Sequence, residues 1–172
     1  MFFIIQQNVV RFLVLTALQV MVISNLNLSP FITPNILPLF VLLLPFSTPR
    51  WLLILIGFAS GLSADVLLGT LGFNAAANLL VAYFRPFLIS LITPKGTDFE
   101  QTPNIFSQGF TWFFIYLSIS VVLHHSFYLL VESGTFYNLL LLGLRIILSS
   151  MLTLAFMFIG LYLFSVKKKR SV

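Results

Sequence analysis

WLLILIGFASGLSADVLLG, from Trp51 to Gly69, is apolar except where Gly57, Gly61 and Asp65 recur at four-residue intervals. At about 3.6 residues per turn, positions i, i+4 and i+8 share one helix face. The stretch is long enough to cross a bilayer. Its two glycines carry no side chain and let a second helix approach closely. Asp65 continues the same close-packed face, so its carboxylate needs a partner or a polar cavity within the apolar layer. The fold follows from that stretch: membrane-spanning helices packed tightly enough to compensate one another's polar groups.

Composition extends the reading to the whole chain. Of 172 residues, 59% are hydrophobic and 8% charged, with a mean hydropathy of +1.08. Soluble domains carry about 25% charged residues, so a water-facing surface cannot be built from this set. The repeated apolar–polar alternation of a β-barrel is absent. The expected class is all-α, a polytopic integral membrane protein forming one transmembrane domain over residues 1–172. No cysteine is present, which excludes disulfides and thiolate metal sites. The apolar start, MFFIIQQNVVRF, has no charged leader and no small-residue cleavage site, and reads as a retained helix. The net charge of +5 resides mostly in a short basic tail at 167–172, in Lys167, Lys168, Lys169 and Arg170. These read as a stop-transfer and orientation signal, with anionic lipid a secondary partner and no nucleic acid expected.

Six segments approach the roughly 20 apolar residues that a spanning helix needs. They run over about Phe2–Ile23, Phe31–Phe46, Trp51–Gly69, Phe73–Ile92, Phe106–Val131 and Phe136–Val166. The second carries Pro34, Pro38 and Pro45, which remove backbone donors, and a re-entrant segment is its alternative. Charge favours six spans. Arg50, Arg85, Lys95 and the basic tail then fall on one side, and the opposite connections hold no Lys or Arg. By the positive-inside rule both termini are cytoplasmic. Arg11 reads as snorkelling to the inner surface, Arg85 as an interfacial anchor, and Trp51 and Trp112 as aromatic-belt residues.

In a six-span arrangement Asp65, Arg145 and one of His124 or His125 share a level. The expected structure there is a polar cluster, with Asp65 paired to Arg145, or to a histidine as second choice. Gly57 and Gly61 are read as helix-packing positions, within the chain or at a homodimer seam. Zinc-protease, Walker-type and G-x-S-x-G motifs are all missing, so no catalytic residue, metal or cofactor is expected.

The stretch Thr33–Pro94 resembles the rod shape-determining MreD family, in its Bacteroidota form. The residues that carry the likeness are TPNILPLFVLLLPFSTPRWLL, GFASGLSADVLLGTLGFNAAA and YFRPFLISLITPKG. The resemblance implies a non-enzymatic scaffold of the bacterial elongation complex in the inner membrane. Its partners would be the bitopic protein MreC and, alongside it, MreB, RodA and the RodA-associated transpeptidase. That family is similar in fold to the substrate-binding subunits of energy-coupling-factor transporters, so a vitamin-binding membrane subunit is the alternative. Short, almost uncharged outer connections favour the scaffold.

Overall fold

The computed structural model describes residues 2–26, 31–94, 102–134 and 138–169, with side chains described over 6–26, 31–94, 102–134 and 138–162. Among these residues seven α-helices run in the order α1 (Phe2–Met21), α2 (Pro38–Leu42), α3 (Arg50–Leu68), α4 (Phe73–Ile92), α5 (Ile105–Gln108), α6 (Phe110–Ser133) and α7 (Leu139–Lys169). A 3-10 turn, Ile23–Asn25, follows α1, and no strand occurs among the described residues. Five helices, α1, α3, α4, α6 and α7, are long and apolar enough to cross a membrane. The chain is thus a polytopic helical membrane protein.

Local chemistry explains the helix ends. Pro49, in extended conformation, precedes α3, and Gly69 closes it in the left-handed region at φ 68°. Gly72 (φ 87°) then launches α4, so the tight turn rests on two positive-φ glycines. Gly109, at φ 82°, separates α5 from α6 where the sequence reads as one apolar run. Asn138 Oδ1 accepts from Leu141 N at 3.0 Å and so caps the start of α7. α7 is about 46 Å long at 1.5 Å per residue, against a hydrocarbon core of about 30 Å. It is therefore longer than the apolar layer requires, and its last described turn carries Lys167, Lys168 and Lys169.

The second expected span is corrected. Only Pro38–Leu42 is helical in 31–46, because the prolines that flank and open it leave no room for a longer hydrogen-bonded ladder. The segment nevertheless passes through the middle of the bundle, and residues 36–44 are buried throughout. Its direction is written in hydrogen bonds. Gln19 of α1 meets Pro34 and Ile36, and Arg11, about 12 Å back along the same helix, meets Leu43. On α4, Asn74 meets Asn35 and Arg85 meets Leu44. On α6, His125 meets Thr33 and Tyr116 meets Leu42. The segment therefore runs antiparallel to α1 and α6 and parallel to α4. α3, joined to α4 by the tight turn, runs with α1, and α7 runs with the segment, since Ser149 and Thr153 meet Thr33 and Asn35 in order. Six passes alternate in direction, five helical and one mostly irregular, and the start of α1 and the end of α7 point to the same end of the bundle.

The core surrounds this irregular pass. Phe40, Val41 and Leu42 lie against Leu53, Val81, Phe113, Tyr116, Leu117 and Met157. The closest helix pairing is α3 on α4. A Cβ on Gly57 would meet the Ala82 Cβ at 2.7 Å and the Asn78 carbonyl oxygen at 3.0 Å. A Cβ on Gly61 would collide with the Asn74 carbonyl and lie 2.5 Å from Ala75 Cα. The glycine pair is spent on packing inside one chain, so a homodimer seam through these glycines is not available.

Candidate functional site: a polar network and cavity at one end of the bundle

Asp65 ends the Gly57–Gly61 face and meets the start of α4. Its Oδ2 accepts from the backbone N–H of Ala75 at 2.8 Å, and Oδ1 accepts from the backbone N–H of Asn74 at 3.2 Å. The Asn74 amide donates a further bond to Oδ1 at 2.8 Å, and the Thr70 hydroxyl donates a short one. A carboxylate thus serves as an N-cap from the neighbouring helix. It satisfies two free donors of the first turn and faces the positive end of the α4 dipole.

This corrects the expected pair. Arg145 forms an ion pair with Glu132, 3.0 Å from NH2 to Oε2, and not with Asp65. The physical reason is that Asp65 already has four donors, from Thr70, Asn74 and Ala75, while Glu132, at the end of α6, reaches Arg145 in α7. Both members of the Arg145–Glu132 pair remain partly exposed.

From Asp65 a chain of hydrogen bonds crosses the bundle. Asn35 Nδ2 donates to Asn74 Oδ1 at 2.5 Å, and Asn35 Oδ1 accepts from Leu37 N at 3.0 Å. Asn35 N donates to Thr153 Oγ1 at 2.9 Å, and Thr153 Oγ1 lies 3.2 Å from His125 Nε2. His125 Nδ1 lies 3.0 Å from the Val121 carbonyl, and its Nε2 lies 3.2 Å from both the Thr33 carbonyl and the Thr153 hydroxyl, so the tautomer decides which carbonyl the ring donates to. Asp65, Asn74, Asn35, Thr153 and His125 form one network over five of the six passes' worth of backbone, with α1 joining through Gln19. The Gln19 amide accepts from Ile36 N at 2.9 Å and donates to Pro34 O at 3.2 Å. Prolines leave carbonyls and amides without helical partners, and these side chains supply them.

The other end of the irregular pass is held by cations. Arg85 is 1% exposed, which corrects its reading as an interfacial anchor. It donates to Leu44 O, to the Tyr116 hydroxyl at 2.9 Å and, at 3.5 Å, to Pro45 O. Tyr116 donates in turn to Leu42 O at 3.1 Å. Arg11 donates to Leu43 O at 3.1 Å, so it turns inward rather than snorkelling. Both cations thus sit at the carboxyl end of α2, where the free carbonyls and the helix dipole favour positive charge. Arg50 is exposed at the start of α3. Lys167, Lys168 and Lys169 end α7 with side chains outside those described, and Lys95 and Arg170 lie outside the described residues altogether.

His124 and His125 are neighbours on α6 whose ring centroids lie 5.3 Å apart. His125 is tied to the backbone, whereas neither His124 ring nitrogen has a hydrogen-bond partner among the described residues. His124 lines a cavity of about 160 Å³ beside the network, together with Thr33, Asn35, Asn74 and Tyr128. No group of three or more His, Cys, Asp or Glu able to hold a metal occurs among the described residues.

Sequence reasoning found Asp65, Arg85 and the histidines but missed Gln19, Asn35, Asn74, Tyr116 and Thr153. A signal existed. Three prolines within the apolar stretch 31–46 create stranded carbonyls and amides, and amide or hydroxyl residues facing inward on the neighbouring helices are the groups that can answer them. Compared with models of protein families, with curated proteins and with solved structures, the chain finds no match.

Proposed function

We propose that this chain is a non-enzymatic scaffold of the bacterial elongation machinery, of the MreD type. It would reside in the inner membrane with both termini cytoplasmic and hold an MreC-like bitopic partner near MreB, RodA and its transpeptidase. The observation that carries the reading is the resemblance over Thr33–Pro94. What supports it further is the work those residues do. Leu37–Phe40 opens the buried α2, the G-x-x-x-G-x-x-x-D face makes the α3–α4 seam, and Asn74–Ala75 receive the Asp65 cap. These motifs of the likeness thus include residues that build the bundle. Many of the polar side chains at its centre bond the protein's own backbone or one another, which suits a part whose task is to present a fixed shape.

The test is depletion of the protein in a rod-shaped bacterium that carries it, combined with capture of the tagged protein in mild detergent. Rounded cells and co-purification of a single-span MreC-like protein are expected. Unchanged shape with loss of uptake of one small molecule would instead establish the energy-coupling-factor-type subunit.

A further inference from the structure

The cavity beside the Asp65 network holds about 160 Å³. An apolar cavity of about 150 Å³ accommodates one benzene molecule, so the space here fits a single small ring. Its wall, however, is polar in a specific way. His124 is 0% exposed with both Nδ1 and Nε2 unpartnered, and the Thr33 Oγ1 is also buried without a partner, among the described residues. Both residues line the cavity. Buried polar atoms are nearly always satisfied, so three unsatisfied ones around one void ask for an occupant. Ring packing holds the imidazole in place. Tyr128 stacks on it at an interplanar angle of 13° with centroids 6.1 Å apart, and His125 meets it edge-on at 5.3 Å. Its nitrogens are therefore oriented without being consumed.

The lining also fixes the charge of the guest. Among the described residues, no Lys, Arg, Asp or Glu lines the cavity. A charged guest would lose its hydration without gaining a counter-ion, and an anion would further meet the Asp65 carboxylate standing behind Asn74. Neutral imidazole and a hydroxyl each offer a donor and an acceptor. Ile23, Leu26 and Ile32 supply apolar wall for the faces of a ring, and Ser24 and Leu26 at the edge are exposed, giving access.

We propose that the cavity binds one uncharged single-ring heterocycle bearing both a hydrogen-bond donor and an acceptor, with His124 and Thr33 making the direct contacts. The inference stands on the cavity and its unpartnered atoms, and holds or fails independently of the scaffold function.

The experiment uses the full chain in lipid nanodiscs with isotope-labelled histidine. Uracil, 2-pyridone and pyrazole are titrated as neutral probes, with orotate as the charged control and benzene as the apolar one. At least one neutral heterocycle should shift the His124 ring resonances saturably, and orotate should not. His124→Phe should weaken that binding by about tenfold or more, since a guest polar atom is left unpaired, and should admit benzene instead. His124→Asn, which keeps a donor and an acceptor, should retain binding within a few-fold, and Thr33→Val should weaken it. Should His124→Phe fail to give a monodisperse protein, the Asn and Val variants carry the test. The proposal is overturned if none of the three heterocycles perturbs His124 saturably, as for a cavity holding water alone. It is equally overturned if binding is indifferent to the changes at both His124 and Thr33.

Discussion

At Asp65 two very different roles were open to a carboxylate in an apolar helix, a counter-ion or a cap, and the geometry is that of a cap. The distinction has measurable content. Asp65→Ala should lower stability by about 1–3 kcal/mol, the cost of leaving buried donors of α4 unsatisfied, read as detergent or denaturant unfolding of the purified protein. Asp65→Asn keeps one acceptor oxygen and should cost less. The double change Asp65→Ala/Arg145→Ala should be additive, because the two side chains share no bond. A large coupling energy between them would reinstate the ion pair. The true partner of Arg145 is Glu132, and that pair, partly exposed, should couple by about 1 kcal/mol or less. The sequence made Asp65 conspicuous through its helical register with the glycines. What it could not disclose was the competition among donors, since four hydrogen bonds from Thr70, Asn74 and Ala75 depend on a turn whose path is set by Gly69 and Gly72.

Among elements, the α3–α4 seam was the most legible and segment 31–46 the least. Helical spacing of Gly57 and Gly61 on an apolar background has one ready use, close approach, and that use is realised. The seam predicts an asymmetry between two similar substitutions. Gly57→Ala meets mainly the Ala82 side chain, so Gly57→Ala/Ala82→Gly should regain part of the lost stability. Gly61→Ala meets backbone on α4 and no change of side chain there should rescue it. Each single change should cost about 1–3 kcal/mol, as overpacking does, and thermal unfolding in detergent checks both. Segment 31–46 misled because hydropathy measures burial and not hydrogen bonding. Its residues are as buried as those of any spanning helix, yet their backbone groups are answered from α1, α4, α6 and α7, partners that lie far away in sequence.

For the molecule as a whole, the alternation of six passes leaves the start of α1 and the end of α7 at one end of the bundle, and in the orientation proposed from the one-sided basic residues that end faces the cytoplasm. The chain has no native cysteine, so single introduced thiols report without background. Ser29→Cys and Ser133→Cys should react with an impermeant reagent from outside the cell, and Thr97→Cys should react only after the membrane is opened. Reaction of Thr97→Cys in intact cells would reverse the orientation.

The irregular pass also sets an order in time. A five-residue helix between prolines offers a translocation channel little to recognise as a span, and exposed carbonyls make its stay in lipid costly. Half of its tethers, Tyr116, His125, Ser149 and Thr153, emerge from the ribosome only after more than seventy further residues have been made. The segment's full set of hydrogen bonds therefore forms only once α6 and α7 are in place, and its protection is expected to come late. A chain truncated after Ile92 should leave residues 31–46 open to protease, and the full-length chain should protect them.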